Sequence, residues 1–375
     1  MPPAYETLDP SRFRAIINGR ETALHTLRAG GMEASVTTYG ARLVQILAPD
    51  RNGVLGDVLL GYPSIAGYQA GQRSMGAFIG RYAGRIAHGR FTLDGEACQL
   101  PANNGPHTLH GGPHGSRFQV FEAERVSDAS IAMAWLFRGD GIGGDGFPGD
   151  LSLRVTYTVT GAHELAVEYS AEALGRATVA NLTSHGYFNL SGGPAPAEPV
   201  APAPAEPVAP APIGGHILQI EAGEVLETNS DGIPTGRILP VAGTPLDFRR
   251  PTPIAPGLAS GHPLLAPRGG YDHTYMLASD GTLRRAATVH HPASGRIMEV
   301  WTTEPCLQLF TANTLDGMAG PDRGKNGAIH ALHTSLCLEA QGAPDAPNHP
   351  HLPSSVLRPG QKRTGRTVHR FGALP

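Results

Sequence analysis

The 375-residue chain is 40% hydrophobic and carries a formal charge of −3, enough apolar material for a sizeable core and too little charge bias to favour nucleic acid or an anionic membrane. Its three cysteines, Cys98, Cys306 and Cys337, are too few and too scattered for a disulfide framework or a zinc ribbon, which suits a reducing compartment. Residues 1–20 lack the apolar core of a secretory signal, and no run approaches the roughly 18–20 apolar residues of a membrane span. The expectation is therefore a cytoplasmic chain, monomer or homodimer, whose partner is small and neutral.

Strand signals dominate along the chain. Ala34–Tyr39 and Leu43–Leu47 open the pattern, a short helical turn is expected near Ser64–Ala70, and Ile131–Phe137 is the next strand-like run. Leu151–Thr160 alternates without a fault, placing Leu151, Leu153, Val155, Tyr157 and Val159 on one face. Gly161-Ala162-His163 reads as a turn, and Leu165, Val167 and Tyr169 resume the alternation as the second arm of a hairpin. Ala286–His290, Ile297–Thr302, Leu307–Thr311 and Ser335–Ala340 follow. With 49 Gly and 34 Pro there is little room for long helices, so the fold class is all-β, a sandwich or barrel with long loops. Residues 194–212 stand apart: PAPAEPVA occurs twice and a third copy begins. This tract has almost nothing to bury, and neither flank looks self-contained. It reads as a polyproline-like or disordered insertion in a single domain spanning residues 1–375.

Several patterns suggest chemistry that their context does not support. Gly141–Gly146 fits GxGxxG, but Phe147-Pro148-Gly149 follows where a dinucleotide site needs a helix to begin. Asp140, Asp145 and Asp150 miss the spacing of a calcium loop and read as a solvated acidic loop. His107, His110 and His114 are close in sequence, yet lie in a glycine-rich loop without a helix-borne HExxH, so no metal is expected. His290, His291, His349 and His351 read as surface or loop residues, and the cysteines as packing.

Polar residues in more particular settings are Arg85 in GRYAGRIAHGRF, His110 in NNGPHTLHGG, His185 in NLTSHGYFNLSG, Asp272 in GGYDHTY, Gln308 in EPCLQLFTAN and Glu339 in SLCLEAQGAP. In this order, over about residues 30–360, the chain resembles the aldose 1-epimerase (galactose mutarotase) family. The combination of LHGG, SHGYFNL, YDH and LEAQ is specific, although each element alone is weak. The resemblance implies a galactose-mutarotase-like β-sandwich with a free monosaccharide in a cleft over one sheet. It also implies Glu339 as base, His185 as acid, His110 near the ring oxygen and sharing the acid role, Arg85 and Asp272 as hydroxyl ligands, and Gln308 as a further hydroxyl or base-positioning contact.

The chemistry of anomer exchange agrees with that set. The hemiacetal opens when a base takes the O1 proton while an acid protonates O5, the C1–C2 bond turns, and closure reverses both transfers. One carboxylate, ionised at pH 7, and one imidazole, protonated beside an anion, suffice, and no step calls for a metal or an organic cofactor. Two departures from the family pattern fall near the site: Gly84 where many members carry Asn, and Phe310 where Tyr is common. Trp301 and Phe310 could stack on a sugar, but core packing is the better reading. The rival functions are a non-catalytic sugar-binding module, a hexose-6-phosphate 1-epimerase, for which no phosphate pocket is visible in the sequence, and a polymer-cleaving hydrolase or lyase. The last would usually want two carboxylates and aromatic platforms, and two Trp make it weak.

Overall fold

The computed structural model describes residues 5–139, 145–193, 211–315 and 323–375. Asp140 and Gly141–Gly144 of the GxGxxG segment, and the Pro/Ala tract through Pro210, lie outside them. Three antiparallel sheets carry the architecture. The first, in the spatial order β1-β2-β3-β4, joins β1 (Leu24–Ala29), β2 (Met32–Thr37), β3 (Arg42–Pro49) and β4 (Leu55–Asp57). The largest has nine strands: β5 (Glu122–Ser127), β6 (Ser130–Phe137), β7 (Asp150–Thr160), β8 (Glu164–Leu174), β9 (Ile217–Ile220), β12 (Thr252–Pro253), β14 (Arg284–His290), β15 (Arg296–Thr302) and β18 (Lys362–Ala373). Their spatial order is β5-β6-β7-β8-β18-β15-β14-β9-β12. The third sheet is β11-β10-β13-β16-β17, built from β10 (Glu224–Thr228), β11 (Pro234–Pro240), β13 (Asp272–Met276), β16 (Cys306–Phe310) and β17 (Cys337–Gln341).

Period-two patterning sets the faces. Leu151, Leu153, Val155, Tyr157 and Val159 are all buried while Ser152 and Arg154 between them are exposed, as an alternating strand with one wet face requires. β7 packs on β1 and β2, and β18 on β3. One continuous core draws residues from all three sheets, including Leu43, Val155, Val167, Val300, Leu309 and Leu338, so two smaller sheets cover the inner face of the large one. The expected helical turn is Ile65–Ala70, capped by the Ser64 hydroxyl accepting from the Gly67 amide at 3.2 Å.

The acidic-loop expectation needs correction. Asp145 is buried and faces the fully buried Arg81 guanidinium at 3.0 Å, so this loop ties the interior together instead of lying in water. Asp150 is held by Arg138 and the Gly139 amide.

Candidate active site

The third sheet builds the floor of a cleft through its register. Leu338 and Ala340 point into the core, so Cys337, Glu339 and Gln341 must face the other way. Leu307 and Leu309 do the same for Gln308 and Phe310. Cross-strand pairing then aligns Thr274 with Gln308 and Gln308 with Glu339, while Asp272 pairs with Phe310 and Phe310 with Cys337. A polar row thus lies on the face of an otherwise apolar sheet.

Loops from outside this sheet complete the cleft. His185 follows the short strand Thr183–Ser184, which pairs with Phe78–Ile79. Its amide donates to the Ala77 carbonyl and its carbonyl accepts from the Gly76 amide, both at 2.9 Å. Its ring stacks on Tyr187 with centroids 5.0 Å apart and meets His110 edge-on at 5.3 Å. Arg85 and Leu109 are opposed in a two-stranded ladder that leads straight into His110. His110 sits at a φ of 53°, and its Nδ1 accepts from the Gly84 amide at 3.3 Å. That bond leaves the proton on Nε2.

All six residues singled out in the sequence, Arg85, His110, His185, Asp272, Gln308 and Glu339, line this one cleft of about 650 Å³. Asp272 is the best-tied of them. Arg268 donates to its Oδ2 through Nε at 3.2 Å and Nη2 at 2.9 Å, Gln308 donates to Oδ1 at 2.6 Å, and the Arg85 guanidinium stands 3.7 Å away. Burial alone would raise its carboxyl, but the two guanidiniums outweigh burial and hold it below the ordinary range. Thr274 donates to the Gln308 carbonyl oxygen, which fixes the amide's orientation.

Glu339 and His185 differ from Asp272. Their closest approach is 3.5 Å, from Oε1 to Nε2, at side chains only 3% and 5% exposed. Burial pushes the Glu339 carboxyl well above its usual range, and the Asp272 charge adds to this while Arg85 opposes it. Burial also pulls His185 down to about 3, helped by the Arg117 cation. Burial thus acts against charge on both members of the pair, raising the carboxyl and lowering the imidazole. His110 is lowered well below its ordinary value by burial and by His185. With Nδ1 taken by the Gly84 amide, its Nε2–H is the group left to donate.

Phe310 packs, half-buried, against the small core cluster that holds Tyr187 and Cys337, and it also lines the cleft, edge-on to His185 and Tyr187. Trp301 is neither core nor cleft. It lies half-buried on the large sheet under the Arg370 guanidinium, with its Nε1 donating to Glu299. Gly84 has a φ of 75°, and a Cβ there would stand 2.8 Å from the Cβ of Pro344, so Pro344 occupies the space a side chain would need. Among the described residues no cluster of three or more potential metal ligands forms, and Nδ1 of His107 and of His110 each already accept a backbone N–H. No described helix is long and apolar enough to cross a membrane.

Sequence reasoning missed Arg268, Arg117, Asn104 and Tyr187. Only Tyr187 left a signal: in SHGYFNL it stands two residues after His185, on the same side of an extended segment. Arg117 and Arg268 sit in three-residue helical turns and Asn104 in a loop, all too short or irregular to carry a periodicity. Asn104 accepts from Arg85 Nε at 3.0 Å.

Comparison with known proteins decides the family. A family model described as aldose 1-epimerase matches residues 23–370. The chain belongs to the aldose 1-epimerase family. Rat galactose mutarotase is 38% identical over 345 residues, 92% of each chain, and the aldose 1-epimerase of Escherichia coli K12 is 34% identical over 358 residues, 94% of this chain and 96% of its own. Among solved structures, a GalM/aldose epimerase homologue from C. elegans superposes with a TM-score of 0.81 at 27% identity, covering 94% of this chain and all of its own. Such likeness carries the galactose-mutarotase β-sandwich and the isomerase class over to this chain.

Proposed function

We propose that this aldose 1-epimerase exchanges the anomers of a free aldose with Glu339 and His185 as its proton-transfer pair. The observation that carries the assignment is the carboxylate and imidazole held 3.5 Å apart at the polar row of the cleft. Glu339 takes the O1 proton, His185 delivers one to O5, and the C1–O5 bond breaks to give the open aldehyde. Rotation about C1–C2 and the reverse transfers form the other anomer. Before opening, the pair is carboxylate and imidazolium; afterwards it is carboxylic acid and neutral imidazole. Burial favours the second state, so the site's low polarity favours ring opening, while the sugar hydroxyls and Arg85 support the charged starting state. His110 donates its Nε2–H at the ring-oxygen side, and Arg85, Asp272 and Gln308 hold hydroxyls.

We further infer one β-sandwich domain with residues 194–212 as an insertion. Asn189, just before the tract, donates its side-chain amide to the Ala211 carbonyl at 2.7 Å, which supports two neighbouring tract ends. Cytoplasmic residence and a monomeric or homodimeric state are part of the same reading. The decisive experiment is polarimetry of freshly dissolved α-D-glucose and α-D-galactose with and without the protein. A relaxation faster than the spontaneous one is expected, and an unchanged rate with every aldose tried would sink the proposal in favour of a sugar-binding module.

A further inference from the structure

One end of the cleft is positive, its guanidiniums held by carbonyls, a hydroxyl and aromatic faces and by no carboxylate among the described residues. Arg117 is 6% exposed and lines the cleft. Its Nη1 donates to the Ser74 hydroxyl at 3.0 Å and its Nη2 reaches the Leu109 carbonyl at 3.5 Å, while its buried Nε has no hydrogen-bond partner. Beneath it the fully buried Arg42 donates to the carbonyls of Met75, Arg73 and Arg117, and Arg73 stands at the exposed rim. Among the described residues none of these three guanidiniums faces a carboxylate. The contrast with Arg85 and Arg268, both turned on Asp272, is direct. Clustered, desolvated cations are costly unless something negative answers them, and here the side that faces the cleft is open.

Position narrows what that something is. The Leu109 carbonyl that Arg117 reaches is adjacent to His110, whose ring lies against His185. Arg117 is also near enough to His185 to depress its imidazole, whereas the charges felt at Glu339 are those of Asp272 and Arg85. With O1 at Glu339 and O5 at His185, the next sugar atoms beyond O5 on the His185 side are C5 and C6. Resting on the assignment above, we propose that Arg117, assisted by Arg73, is a subsite for a negative group on C6, so that the cleft prefers aldoses bearing a C6 carboxylate or C6 phosphate to their neutral parents. The guanidinium fork matches either anion.

The test compares kcat/KM for D-galactose, D-galacturonate and D-galactose 6-phosphate, each corrected for its spontaneous mutarotation, in the wild type, Arg117→Gln and Arg73→Gln. At low salt the wild type is expected to prefer at least one anion by on the order of tenfold, with the better of the two naming the source. That preference should shrink with added salt, collapse in Arg117→Gln and weaken in Arg73→Gln. Inorganic phosphate should inhibit galactose turnover by the wild type competitively, a readout that survives if Arg117→Gln does not fold. Faster galactose turnover with no anion preference and no phosphate inhibition would overturn the subsite and leave the epimerase assignment standing. No acceleration with any of the three sugars would overturn the assignment itself.

Discussion

Two buried acid–base pairs in this molecule are built to opposite ends. Asp145 and Arg81 meet at 3.0 Å, and the partners are stitched into their surroundings: Arg81 donates to the carbonyls of Pro148 and Gly149 and to the Thr178 hydroxyl, and Asp145 accepts from the Phe147 amide. Glu339 and His185 stand farther apart, and among the described residues no donor hydrogen-bonds the Glu339 carboxyl. The first pair joins the Arg81 segment to the loop after β6 and lies outside the cleft. The second lines the cleft, and its position is fixed through backbone bonds at His185 and the register of β17. Preorganisation at the active pair thus comes from the scaffold and not from mutual saturation.

The largest effect should come from disabling the unsaturated pair. Glu339→Gln keeps shape but cannot accept the O1 proton, and His185→Asn cannot protonate O5. Each should lower kcat by about 10² to 10⁴-fold with sugar binding retained. Because opening needs both transfers, the double variant should be little worse than the poorer single one. Melting temperatures should hold or rise, since Glu339→Gln removes an ionisable group that burial penalises. Near-wild-type turnover by Glu339→Gln in polarimetric assays would refute the mechanism.

Breaking the Asp145–Arg81 pair should have the reverse signature. Asp145→Ala leaves the Arg81 guanidinium buried without its carboxylate, and removal of one partner of a buried pair typically costs about 3–5 kcal/mol. Urea unfolding is expected to show a loss of that order, with kcat on galactose preserved in the fraction that remains folded. If Asp145→Ala left stability intact but abolished turnover, the division between a structural and a catalytic pair would be wrong.

The same contrast marks what the sequence discloses. Strands with one wetter face were legible, Leu151–Thr160 being observed as Asp150–Thr160 and Ile297–Thr302 as Arg296–Thr302, and the fully buried β17 lies one or two residues from Ser335–Ala340. The longest strand, β18, escaped notice. Lys362, Arg366 and Arg370 face outward along it, and Gly365 interrupts the pattern where the Tyr169 ring and the Glu304 carboxyl press against the backbone. The six cleft residues were found through short motifs, because motifs record site chemistry that periodicity does not. What motifs could not disclose was three-dimensional charge balance. Arg268 and Arg117 reach the cleft from single short helical turns, Asp145 is buried where its loop looked solvated, and the opposed shifts of Glu339 and His185 come from burial that no local sequence encodes.

Burial of neutral histidines predicts an intermediate effect, on pH. His185, His216 and His330 are depressed to about 3 and His369 to about 4, each by desolvation first. Below their unfolded pKa of about 6.5 the unfolded chain binds protons that the folded chain refuses. Their contribution is therefore complete above pH 6.5 and is lost as pH falls toward 3–4, by up to roughly 1.4 kcal/mol per pH unit for each ring. The raised carboxyls of Glu304 and Asp145 act in the opposite sense, so a difference measurement is needed. His216 suits it, because its Nε2 must stay unprotonated to accept the Leu190 amide at 2.9 Å. His216→Asn should reduce the fall in urea-derived stability between pH 7 and pH 5 relative to wild type. Parallel profiles for the two proteins would mean that His216 does not resist protonation.

The smallest effect is expected where neither pair nor core is involved. The chain enters the Pro/Ala tract past Asn189, Leu190 and Ser191. The carbonyls of Leu190 and Ser191 accept from the buried Arg296 guanidinium, and Asn189 spans to Ala211 on the far side and to the Thr334 carbonyl. Both ends of the tract are therefore anchored to the same structure independently of residues 194–210. Replacing those residues by a short Gly/Ser join should leave the anchors in place, and loop closure varies by only about 0.6 kcal/mol for each doubling of length. Thermal melts should move by little and polarimetric turnover should persist. Asn189→Ala is the matched control: it removes the clamp while keeping the tract, leaves the Ala211 and Thr334 carbonyls without their donor, and should cost about 1–3 kcal/mol. If deletion proved more damaging than Asn189→Ala, the tract would have to contribute packing of its own, and the insertion reading would give way to one in which residues 194–212 are part of the fold.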